Sequence, residues 1–171
     1  MNADQMSIEQ STSQNVPDTS ILNQLLLEFG GDYQRRIIEG VHRCGHSLIR
    51  PAHCSVFANL GMGAVRVTEL AERAHVTQQA MGKMLKELER IGYVVRDIDG
   101  IDRRAKKIRP TERGNVLMED IKTVTREAWL YYVARIDENT LIALENQLAD
   151  CVRKLNGSPR AVDTVAASLT G

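Results

Sequence analysis

The 171-residue chain has no net charge: 22 Lys and Arg stand against 22 Asp and Glu. That balance excludes a polycationic nucleic-acid coat but leaves room for a local basic patch. No apolar run approaches the roughly 20 residues that cross a bilayer, so no membrane partner is expected. The N-terminus lacks a basic patch followed by an apolar stretch, so a cytoplasmic location is expected rather than export. Gly is limited to 12 and Pro to 4, which excludes collagen-like chains and wholesale disorder. The three cysteines, Cys44, Cys54 and Cys151, have no zinc-like spacing, and an odd number forms no closed disulfide set. Reduced thiols are the plain reading. Cys44 and Cys54 are the candidate redox pair if the first two helices bring them together. A nucleophile elbow, a phosphate loop and a metal-hydrolase helix are all missing, so no catalytic residue, metal or cofactor is expected.

What is present is an ordinary globular composition, 43% hydrophobic and 26% charged. A chain of this size buries roughly 70% of its unfolded surface, enough for a core without staples. Residues 1–20 are rich in Ser, Thr, Gln and Asn and read as a loose arm. From Ile21 to about Leu48, apolar residues recur at three-four spacing, which predicts an amphipathic helix with Gly30 and Gly31 placed to kink or fray it. Pro51 opens a shorter helix to about Leu60, and Gly61 and Gly63 break it. Val67 to Ala74 and Gln78 to Arg90 read as two helices joined by a tight turn, with Thr77 as N-cap and Gly92 as stop. The period then shortens. Tyr93–Val95 and Ala105–Ile108 are extended arms of a hairpin with Gly100 near its tip, and Pro110 closes it. Two further helices follow, Glu112 to about Arg135 and Glu138 to about Leu155. Residues 157–171 read as a loose tail.

Charge is not spread evenly along this order. Residues 1–59 and 114–171 each carry a net of −2, whereas residues 60–113 carry +4. Six cations, Arg103, Arg104, Lys106, Lys107, Arg109 and Arg113, crowd into the hairpin and the start of the next helix. Taken alone, such a run is a solvated turn. Directly after a helix-turn-helix pattern it makes a winged-helix signature, with one helix for the major groove of double-stranded DNA and a basic wing for phosphates or the minor groove.

On the second helix of that pair, Met81, Leu85 and Leu88 form one stripe, supported by Met84, and Gln79, Gly82, Lys83 and Lys86 form the opposite one. Thr77, Gln78 and Gln79 occupy the end that enters a groove, where Gln pairs bidentately with adenine and exposed amides meet phosphate. Gly82 costs about 1 kcal/mol against Ala in a helix. Close approach of the backbone to DNA is one reason to keep it; a merely tolerated glycine is the other. Arg103 is the candidate for the minor groove. Arg104 either holds the wing through Asp99 or Asp102 or contacts phosphate. Lys106 and Lys107 alternate faces, so one of them reaches the DNA backbone. Arg66 is placed to clamp a flanking phosphate.

Three stretches carry a family resemblance: Leu88-Glu89-Arg90-Ile91-Gly92-Tyr93-Val94-Val95-Arg96, Asp99-Gly100-Ile101-Asp102-Arg103-Arg104-Ala105-Lys106, and Pro110-Thr111-Glu112-Arg113-Gly114. Together they resemble the MarR family of bacterial transcriptional regulators. Gly100 stands where the family usually has Pro, and Pro110 where it usually has Leu; neither change touches a charged position. The resemblance covers about residues 20–156. It implies a mainly α fold with a β-hairpin wing, a winged helix-turn-helix with N- and C-terminal dimerisation helices. The domain is then 21–156, with the DNA-binding module at about 50–113 and the dimerisation helices at about 21–48 and 112–156. It implies a homodimer on a pseudo-palindromic operator and repression relieved by a small ligand, aromatic or an organic anion, or by thiol oxidation. By matching position, the effector pocket falls to His42, His46, Arg50, His53 and Trp129. His42 and His46, four apart, also have the spacing of a metal pair, but no acidic or cysteine cluster completes one. The competing reading is a winged-helix protein that acts through protein contacts alone.

Overall fold

The computed structural model describes residues 19–61, 64–98 and 106–156. The arm at residues 1–18, Gly63, the wing tip at 99–105 with Arg103 and Arg104, and the tail at 157–171 lie outside the described residues, as does the Lys106 side chain. The elements are α1 (Thr19–Arg43), α2 (Pro51–Leu60), β1 (Val65–Arg66), α3 (Val67–Arg73), α4 (Gln78–Arg90), β2 (Val94–Ile98), β3 (Lys106–Pro110), α5 (Glu112–Ile136) and α6 (Glu138–Asn156). The architecture is mainly helical with a small antiparallel sheet, a winged helix-turn-helix with flanking helices.

Three helices end in the same way. At α1, the amide of Gly45 donates to the His42 carbonyl at 3.0 Å and that of His46 to Val41 at 3.2 Å. At α3, His75 bonds Glu72 and Val76 bonds Ala71; at α4, Gly92 bonds Glu89 and Tyr93 bonds Leu88. Each pair closes a Schellman turn around a left-handed residue. Those residues are Gly45 (φ 93°), His75 (φ 52°) and Gly92 (φ 81°). The first turn corrects the expected end of α1, at Arg43 rather than near Leu48. The apolar spacing runs on past the turn, but Ile49 is buried from the returning loop while Leu48 is exposed. Gly30 and Gly31 do not interrupt α1.

The sheet order is β1-β3-β2, so the returning arm of the hairpin is the middle strand. β1 is a strand the sequence did not announce. It pairs Val65 with Ile108 and Arg66 with Lys107. Pro110, expected to close the hairpin, is instead the last residue of β3, opposite Val94. A strand end tolerates a residue without an N–H.

The chain divides into two compact units between Val124 and Thr125. The core of the first unit lies around α4: Leu70, Met81, Leu85, Leu88, Tyr93 and Ile108 are fully buried. The N-terminal half of α1 is different. Ile21, Leu22, Leu25, Leu26 and Leu27 are all more than half exposed. In the second unit, Asp137 caps α6, accepting from the Thr140 amide at 2.9 Å and its hydroxyl at 2.7 Å. These donors hold the Asp137 carboxyl below the usual carboxylate range. Leu130, Ile142, Leu148 and Val152 are exposed here as well.

Candidate nucleic-acid interface

Thr77 accepts a hydrogen bond from the Ala80 amide at 3.1 Å, so α4 starts where its capping residue dictates. The helix then splits into two faces. Met81, Leu85 and Leu88 are wholly buried, whereas Gln78, Gln79, Lys83 and Lys86 are exposed. A Cβ built on Gly82 meets nothing within 4 Å, so packing inside the chain gives no reason for a glycine there. The exposed face therefore presents two amides, two ammonium groups and a stretch of bare backbone. Arg66 is exposed on β1 at the entry to α3.

The wing base is built onto this helix. Arg96 on β2 lies with its Nε 3.1 Å from Glu89 Oε2 of α4, an ion pair without hydrogen-bond alignment. On β3, Ile108 faces the core and Arg109, on the opposite face, is exposed. Arg109 was counted in the basic cluster but not singled out. Its alternation with Ile108 was the signal that could have found it. Arg103 and Arg104 lie outside the described residues.

The expected effector residues separate into engaged groups. His42 Nε2 donates to the Ile49 carbonyl at 2.7 Å. His46 is buried, with Nδ1 2.8 Å from the Tyr93 hydroxyl and Nε2 2.8 Å from Asp120 Oδ2. His53 is buried on the first turn of α2, where its Nδ1 accepts from the Arg50 amide at 3.3 Å. Its other nitrogen faces Glu87 Oε2 of α4 at 3.4 Å, and the Arg50 guanidinium pairs with the same carboxylate. Burial first, and then the Arg50 charge, hold His53 below the ordinary histidine value. Trp129 is half-buried in the second unit. The three cysteines are free thiols. Burial pushes the half-buried Cys54 thiol up, which lowers its thiolate fraction, while Cys44 is exposed in the turn after α1.

Comparison with known proteins agrees with this geometry. The model of the MarR family matches residues 61–106, from the loop before β1 to the returning arm of the wing. The HTH-type transcriptional repressor MdtR of Bacillus subtilis (strain 168) is 25% identical over 133 residues, covering 77% of this chain and 82% of MdtR. Among solved structures, CouR from Rhodococcus jostii RHA1, bound to p-coumaroyl-CoA, is 27% identical with a TM-score of 0.64, over 84% of this chain and 95% of that one. A MarR-family transcriptional regulator from Rhodococcus sp. RHA1 is 25% identical with a TM-score of 0.62, over 84% and 97%. The chain is therefore similar, in sequence and in its winged helix-turn-helix fold, to transcriptional regulators of the MarR family.

Proposed function

We propose that the chain is a homodimeric repressor that binds a pseudo-palindromic operator and is released by a small aromatic or anionic ligand. The observation that carries the DNA-binding part is the two-faced α4: apolar residues wholly buried on one side, Gln78, Gln79, Lys83 and Lys86 exposed on the other. Polar amides suit base edges and ammonium groups suit phosphates. Arg103 reaches the minor groove, and Arg104, Lys106 and Arg66 hold backbone phosphates. The second copy covers the apolar residues left in water on α1 and α6, since exposed apolar stretches of this extent mark an interface. Repression is supported by the likeness to MdtR, and a ligand trigger by the likeness to CouR, which was solved with an aromatic acyl-CoA. Thiol oxidation is the second trigger to test, with Cys44 the more accessible sulfur.

The test is a mobility-shift titration against the duplex upstream of the chain's own gene, backed by genome-wide capture, at two salt concentrations. The expected result is a discrete shift, weakened by salt, lost in Arg103→Ala and reversed by p-coumaroyl-CoA or a free aromatic acid. Binding that ignores salt, or no bound duplex in either format, overturns the DNA-binding reading in favour of a protein partner, because only phosphate contacts release counterions. Reversal by peroxide but not by the ligands assigns the trigger to thiols.

A further inference from the structure

Tyr93 stands at the joint between the recognition helix and the wing, one residue past the left-handed Gly92 and one before β2. Its backbone is held from both sides: the amide donates to Leu88 at 2.9 Å, and the carbonyl accepts from Thr111 at 3.1 Å. The Arg113 guanidinium lies 4.4 Å from the ring centroid, and a Cβ on Gly114 would strike the Tyr93 carbonyl oxygen. The ring is fully buried, and Phe57 of α2 packs edge-on against it. All of this would serve a phenylalanine equally well.

The hydroxyl does something else. It meets Nδ1 of His46 at 2.8 Å, just beyond the end of α1, and His46 Nε2 meets Asp120 on α5 at 2.8 Å. A carboxylate only accepts, so Nε2 carries a proton, and in the neutral ring Nδ1 then accepts the Tyr93 O–H. The chain Tyr93–His46–Asp120 is thus directional, buried at Tyr93 and His46 and half-exposed at Asp120. Buried polar chains of this kind fix geometry more strictly than apolar packing, because each broken link strands a polar group.

From this arrangement we infer that Tyr93 and His46 are positioning residues for DNA binding: they set the angle of α4 and the wing against α1 and α5. The inference rests on the DNA-binding reading above. It assigns no contact with DNA to either residue.

Tyr93→Phe removes the hydroxyl and keeps the ring, its packing and the Arg113 stack. The expected result is operator affinity weakened by up to about tenfold, the upper worth of one hydrogen bond, with non-specific DNA affinity nearly unchanged and the melting temperature lowered by about a few degrees, too little to change the folded fraction at the assay temperature. His46→Leu behaves alike, whereas His46→Gln, whose amide can donate to Asp120 and accept from Tyr93, restores most of the affinity. Affinity that stays at wild-type level in Tyr93→Phe, or falls only with the folded fraction, overturns the inference. Failure of the wild-type chain to shift any duplex overturns the DNA-binding reading instead. Amide hydrogen exchange then decides the link by itself. Faster exchange in Tyr93→Phe at both residues 44–49 and residues 88–95 supports it, and faster exchange at 88–95 alone refutes it.

Discussion

A Cβ placed on Gly40 of α1 would lie 2.9 Å from the Cγ2 methyl of Val124 on α5, inside van der Waals contact. The two helices meet there only because one of them has no side chain. Gly40→Ala is expected to lower stability by about 1–3 kcal/mol, the cost of overpacking a tight contact, even though Ala is the better helix former. Val124→Ala opens the space, so the double variant is expected to be less destabilised than the two single changes added together. Urea denaturation midpoints of the four proteins measure this, and strict additivity would disconnect the pair.

Gly82 predicts the opposite sign for the same change. Nothing lies within 4 Å of its missing Cβ. Gly82→Ala is therefore expected to raise stability by about 1 kcal/mol, the helix-propensity difference, while weakening operator binding by blocking backbone approach. A variant that gains stability and keeps full affinity would show the glycine to be merely tolerated.

Lys83 and Lys86 are expected to act as phosphate contacts. Each change to Ala removes two contacts per homodimer and is expected to reduce the slope of log affinity against log salt by about 1.8, with little change in melting temperature because both side chains are exposed. An unchanged slope removes that residue from the interface.

Thr77 caps α4 through its side-chain oxygen. Thr77→Ala is expected to cost about 1 kcal/mol and Thr77→Ser very little. Thermal melts compare them, and equal losses for both would show that the methyl group rather than the cap matters.

His53 makes stability depend on pH. Burial and the Arg50 charge lower its folded value below the ordinary 6.5, although the Glu87 carboxylate faces the same ring. The folded chain thus binds this proton less readily than the unfolded chain. The contribution is fully present above pH 6.5 and is lost as the pH falls through 6.5 toward the folded value. His53→Gln is expected to flatten the fall in melting temperature between about pH 7 and pH 5. A parallel fall in variant and wild type would place the acid sensitivity elsewhere.

The helix-turn-helix was legible because its signals are local. Thr77 caps, the apolar stripe recurs at helical spacing, and Gly92 stops α4 at Arg90, as the structure has it. The end of α1 was not legible: apolar spacing through Leu48 and Ile49 imitates a continuing helix, and only backbone hydrogen bonds reveal the turn at Gly45. β1 is two residues long and shows no alternation to detect. The Tyr93–His46–Asp120 chain joins residues 47 and 74 positions apart, a juxtaposition that no window of sequence contains. His42, His46, Arg50 and His53 were placed together by family position. Their engagement with Ile49, Tyr93, Asp120 and Glu87 is tertiary information.

The middle place of β3 in the sheet has a mechanical consequence. β1 is hydrogen-bonded to β3 and passes into α3 with no residue between Arg66 and Val67, so the base of the wing is splinted to the helix pair beside it. A wing base and a helix pair joined in this way shift together rather than separately. On the DNA-binding reading, a groove too wide at the wing displaces the helix as well, and the DNA must deform to restore both contacts. Base pairs that neither element touches then enter the choice of operator through their stiffness.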